Sequence, residues 1–92
     1  MSSTPHVTIE NKTLSAADFT NSHTVSVDAT SVSLFARNGD LQIALTSAGS
    51  TYRTIPHQTA FEIRGRFFNG HDIFIKPASA GDVVEIVTML GP

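Results

Sequence analysis

The sequence predicts an all-β domain, an antiparallel two-sheet β-sandwich of about eight short strands with no significant helix. Three observations predict it. Runs of alternating apolar and polar residues are cut by Gly, Pro, Asn and Ser clusters about every 8–12 residues. Charged residues are 15% of the 92-residue chain, below the roughly 25% of soluble domains. Serine and threonine fill the gap, and threonine favours sheets. No stretch reads as a convincing helix.

The length fits one domain, set at residues 7–92 behind a flexible N-terminal arm at 1–6, where Pro5 discourages a regular start. There is no cysteine, hence no disulfide or thiolate metal site. The first dozen residues lack the basic and apolar regions of a signal peptide. No apolar run approaches the roughly 20 residues of a membrane span. The net charge of −2 and pI near 6.0 argue against a nucleic-acid binder.

In chain order, residues 7–9 and 12–14 read as one strand or a pair, and 15–22 as a loop with room for one helical turn at 15–18. Residues 23–27 alternate, with Val25 and Val27 on one face. The stretch 32–45, VSLFARNGDLQIAL, carries Asn38-Gly39 at its centre. Asn-Gly between alternating runs predicts a hairpin with a type I′ turn. A two-residue loop pairs Arg37 with Asp40, Ala36 with Leu41, Leu34 with Ile43 and Val32 with Leu45, which sorts the apolar side chains to one face. Phe35 then points outward. Residues 51–55 form a strand stopped by Pro56.

Residues 59–67 and 72–76 predict a second hairpin, with a three-residue loop at 68–70 and Gly70 in the left-handed conformation. This register pairs Ile63 with Ile75 and Gly65 with Ile73 on the inner face. On the outer face it sets Arg66 against Asp72, Glu62 against Lys76 and Arg64 against Phe74. The last strand, 82–90, is apolar on both parities: Val84, Ile86 and Leu90 on one, Val83, Val87 and Met89 on the other. A strand apolar on both faces is covered on both. The expected core is Val25, Val27, Val32, Leu34, Leu41, Ile43, Leu45, Ile55, Phe61, Ile63, Ile73, Ile75, Val84 and Ile86. Phe35, Arg64, Phe74, Val83, Val87 and Met89 are the expected subunit-contact residues. The N-terminal arm or the 15–22 loop, folded over the stripe, is the rival explanation.

Chemistry is sparse. The histidines, His6, His23, His57 and His71, have no metal-ligand spacing. The carboxylates are scattered, and no nucleophile motif or phosphate loop is present. No catalytic residue, metal or cofactor is expected. A sugar or receptor site would draw on Tyr52, His57, Phe68 and His71; the absence of tryptophan counts against it. Arg53, Arg64, Arg66 and Lys76 among Tyr52, Phe67, Phe68 and Phe74 could form an OB-like single-strand platform, and the negative net charge opposes that reading.

The stretches GDLQIALTSAGSTYRTIP and DIFIKPASAGDVVEIVTML, between Gly39 and Leu90, resemble small virion proteins of tailed bacteriophages. These include head decoration (cement) proteins and head or tail accessory modules. The resemblance implies a jelly-roll or related sandwich, a cyclic homo-oligomer, and attachment to a major capsid or tail protein. It implies a place in the virion, assembled in the host cytoplasm, and it carries no catalytic residue.

Overall fold

The computed structural model describes residues 6–64 and 70–91. Eight strands follow in order: β1 (Val7–Thr13), β2 (Asn21–Thr24), β3 (Ala29–Ala36), β4 (Leu41–Ala44), β5 (Arg53–Ile55), β6 (Ala60–Arg64), β7 (Asp72–Pro77) and β8 (Val83–Leu90). No described residue is helical. The strands form two four-stranded sheets, β1-β8-β3-β6 (sheet A) and β2-β7-β4-β5 (sheet B), and every neighbouring pair is antiparallel.

The order has a simple origin. The chain doubles back at β4–β5 into a long ribbon that pairs β4 with β5, β3 with β6, β2 with β7 and β1 with β8. Rolling that ribbon places successive pairs in alternate sheets. The extra pairings β3·β8 and β4·β7 then complete each sheet. This is the jelly-roll arrangement, an all-β sandwich as the sequence predicts.

Each strand turns one parity to the shared core. Sheet A contributes Val32, Leu34, Ala36, Val84 and Ile86; sheet B contributes Leu41, Ile43, Ile55, Ile73 and Ile75. Leu14, just past β1, is fully buried among them. Phe61 and Ile63 of β6 pack against this cluster from a half-buried edge.

Both expected hairpins are absent. β3 lies in sheet A and β4 in sheet B, so residues 37–40 are a corner between sheets. Gly39 does not take a positive φ, which a type I′ turn requires. The corner is held by other bonds: the Val83 amide donates to Asn38 Oδ1 at 2.8 Å, and the Ala78 amide to the Asp40 carbonyl at 3.1 Å. Arg37 pairs with Glu85 at 2.7 Å, not with Asp40. The apolar sorting survives from Val32 to Ile43 because two strands facing each other across a core show the same alternation as two strands side by side.

The second hairpin fails the same way. β6 pairs with β3, Ile63 opposite Val32, whereas Ile75 pairs with Ile43 and Asn21. Glu62 therefore does not meet Lys76, nor Arg64 Phe74. Arg64 Nε donates to Glu62 Oε1 at 3.0 Å instead, and Asp72 accepts from Thr24 Oγ1 at 2.6 Å. Gly65, Arg66 and the first two residues of the expected 68–70 loop fall outside the described residues; Gly70 does adopt a left-handed φ of 78°.

Two expected core residues are on the surface: Val27 is 68% exposed and Leu45 60%. Each lies beyond a strand end, where alternation no longer dictates direction. β2 starts earlier than expected because Asn21 anchors it. The buried Asn21 Nδ2 donates to the carbonyls of Ala16 at 2.7 Å, Asp18 at 3.0 Å and Ile75 at 3.1 Å. This ties the preceding loop, which has turns and bends but no helical turn, to sheet B. In that loop the Thr20 amide and hydroxyl both donate to Asp18 Oδ1, holding the Asp18 carboxyl below its usual range.

Candidate docking face

The candidate site is the outer face of sheet A. Burial fixes which parity of β8 points out: Val84, Ile86 and Thr88 are buried, while Val83, Glu85 and Val87 are half-buried and Met89 is 43% exposed. Cross-strand partners share a face, so the registers give the rest. Met89 lies between Val7 of β1 and Ser31 of β3, with Arg64 of β6 beyond Ser31. Val87 lies between Ile9 and Ser33, with Glu62 beyond; Glu85 lies between Asn11 and Phe35, with Ala60 beyond.

Three zones result. Val7, Ile9, Val87 and Met89 make an apolar corner, where Ile9 is 73% and Val7 39% exposed. Ser31 and Ser33 form a neutral hydroxyl strip in the middle. The charges sit at the margins and neutralise one another, Glu62 with Arg64 and Glu85 with Arg37. A face with an apolar centre of contact and internally paired charges has the composition of an interface core.

Five of the six expected contact residues, Phe35, Arg64, Val83, Val87 and Met89, therefore share one face. Phe74 does not. It alternates with buried Ile73 and Ile75 and lies on the outer face of sheet B. The sequence reading left Val7 and Ile9 on neither face, because it did not decide whether 7–9 and 12–14 are one strand or two and so fixed no parity for them. In β1 the inward parity is instead Thr8, Glu10 and Lys12, opposite Thr88, Ile86 and Val84. Inward charge on an edge strand discourages edge-to-edge pairing, and those charges were the available signal. β1 also bears on the rival explanation. It lies beside β8 and extends the stripe, and the His6 carbonyl accepts from the Leu90 amide at 2.7 Å; residues 1–5 of the expected arm lie outside the described residues. The 15–20 loop is tied to the other sheet.

Across the sandwich edge, His23 of β2 comes within 3.9 Å of Glu10. Burial holds its imidazole below the ordinary value; Glu10 opposes that shift, Lys12 adds to it and Asp72 opposes it.

The other sequence candidates are not assembled. Tyr52 precedes β5 and rests by Phe19, with ring centroids 6.2 Å apart. His57 lies past the opposite end of β5, its amide on Asp40 Oδ1 at 2.8 Å and its Nε2 by the Arg37 carbonyl at 3.1 Å. His71 is exposed before β7, and Phe68 lies outside the described residues. The basic–aromatic platform is also dispersed. Arg53 stacks on Phe61 at 4.7 Å, Arg64 belongs to the outer face of sheet A, and Phe74 and Lys76 to that of sheet B. Arg66 and Phe67 lie outside the described residues. Two packed sheets are not an OB barrel. Among the described residues no three His, Asp or Glu side chains come together as metal ligands. Comparison with protein-family profiles, curated proteins and solved structures finds no match.

Proposed function

We propose that this chain is a structural subunit of a tailed-bacteriophage virion. In this reading it is a capsid decoration (cement) protein or a head or tail accessory protein, which self-associates into a cyclic oligomer and attaches to a major capsid or tail protein. The observation that carries the docking role is the apolar corner of Val7, Ile9, Val87 and Met89 on the outer face of sheet A. An apolar group set among neutral hydroxyls and self-paired charges gains by meeting another protein surface and loses little charge solvation in doing so. Closed rotational symmetry lets one such patch be covered without open-ended growth. The virion assignment rests on the resemblance of residues 39–90 to small virion proteins, and the jelly-roll order suits it, since capsid domains use that order often.

The test has two parts. Sedimentation equilibrium of the purified chain gives its mass in solution. A protein inventory of phage particles purified from cells that produce the chain shows whether it travels with them. A multiple of the subunit mass together with stoichiometric recovery in particles supports the proposal. A monomer at high concentration that is absent from every particle fraction refutes it.

A further inference from the structure

We propose that the cleft between the free edges of β5 and β6 binds a small organic acid with an apolar body. The site adjoins the docking face at Glu62 and Arg64, but its walls are other residues, and the inference stands whether or not that face is an interface. At this side of the sandwich the sheets part, leaving an open cleft of about 500 Å³, within the roughly 300–1,000 Å³ of small-molecule sites. Its walls are Ile43 of sheet B with Leu45 just past β4, and Phe61 and Ile63 from sheet A. Tyr52 and Arg53 stand on its rim.

Arg53 gives the site its chemical preference. It pairs with Ile43 in the β4·β5 register and shares the parity of buried Ile55, but stands at the exposed start of the strand, so it takes a core-parity position at the mouth of the cleft. Its guanidinium lies over the Phe61 ring, 4.7 Å from the centroid. The contact uses the cationic carbon and none of the N–H donors, which remain for an acceptor, and a guanidinium fork suits a carboxylate bidentately. The neighbouring cation is already used, since Arg64 Nε bonds Glu62 Oε1 at 3.0 Å. Among the described residues no carboxylate forms an ion pair with Arg53. Apolar walls with one uncompensated, pre-stacked guanidinium at the mouth complement a monoanion carrying a hydrocarbon or aromatic body. A neutral sugar would leave the walls unused, and a polyanion would meet Glu62. The rival account is that Arg53 only guards an edge strand against pairing with another chain.

Three probes of equal tail length separate these accounts: decanoate and decyltrimethylammonium below their micelle concentrations and decanol below its solubility limit, titrated into the intact protein by calorimetry and by NMR of the methyl and aromatic groups. The expected result is one-to-one decanoate binding with shifts confined to Ile43, Phe61 and Ile63. Decanol should bind about tenfold more weakly, and the ammonium more weakly still, through loss of one charge-assisted fork. Arg53→Met, which keeps the length and stacking bulk, should bring decanoate down to the level of decanol and leave decanol unchanged. Arg53→Lys should fall between, and Lys76→Met, at a cation on the outer face of sheet B and outside the cleft lining, should change nothing. No saturable decanoate binding, equal affinity for all three probes, or an Arg53→Met protein that binds decanoate normally would each overturn the proposal. Self-association of Arg53→Met without any change in decanoate affinity would assign Arg53 to edge protection instead.

Discussion

Replacing Ile9 by threonine separates docking from folding. Ile9 is 73% exposed, so the folded monomer gains little from it, and threonine keeps the β-branched shape that edge strand β1 favours. The expected change in monomer stability is within about 0.5 kcal/mol, as for other surface substitutions. In an interface the same side chain is worth more. Full burial of an isoleucine contributes about 1.5–3 kcal/mol, and covering the exposed 73% contributes roughly 1–2 kcal/mol per subunit. A two-fold contact uses the residue twice, so dimer dissociation should shift by about 2–4 kcal/mol, some 30- to 1,000-fold. Sedimentation equilibrium across a concentration series reads that shift, and urea unfolding of the dilute protein reads the monomer. An association constant unchanged within threefold would refute the docking face. A loss of monomer stability well above 1 kcal/mol would show that Ile9 is covered within the subunit.

Other outcomes follow from the core and its edges. Leu34 is fully buried between Phe61 and Ile86 in the sheet-A registers, so Leu34→Ala should cost about 2–5 kcal/mol in equilibrium denaturation, with a crystal or NMR structure showing a cavity rather than a collapsed sheet. Gly49 has a φ of 64°, and a Cβ there would sit 2.2 Å from the Phe19 ring. Gly49→Ala should lower the melting temperature, and adding Phe19→Ala should recover only the part due to the clash, because the φ cost of roughly 1 kcal/mol remains. His23 should make stability fall with acid. Its folded pKa lies below the ordinary 6.5, so the unfolded chain binds the proton more readily; the contribution is full above pH 6.5 and is lost as pH drops through 6.5 toward the folded value. The difference between wild type and His23→Gln in urea midpoints from pH 7.5 to 5.5 isolates that effect, and parallel profiles would refute it.

The fold class and most of the core were legible in the residues, while the strand partners were not. Alternation states which side of a strand meets the core. It does not distinguish a neighbour in the same sheet from one across the sandwich, and so 32–43 could be sorted correctly and still be joined wrongly. The Asn-Gly signal misled because Asn38 spends its side chain on the Val83 amide, a partner far along the chain. The apolar outer parity of β8 could be read directly, since no single core can cover both faces of Val83–Leu90. Ile9 was hidden because the partner that fixes its parity, Val87, lies at the far end of the chain, and the cleft at Arg53 by the separation in sequence of its two walls, which only the rolled ribbon brings together.

The nested ribbon also sets an order of events. Closing the 45–52 loop brings β4 to β5, whereas joining β1 to β8 directly encloses residues 14–82, a difference of about 2 kcal/mol in loop entropy. Zipping outward from the tip avoids most of that cost, because each pair is presented by the one before it. β1 is then the last strand to find a partner, since β8 is its sole neighbour in the sheet and β8 is the last strand in the chain. Val7 and Ile9 come from one, Val87 and Met89 from the other. The apolar corner therefore does not exist on a half-made subunit: it is created by the closing step of folding, and in the proposed docking role it would be offered by finished subunits alone.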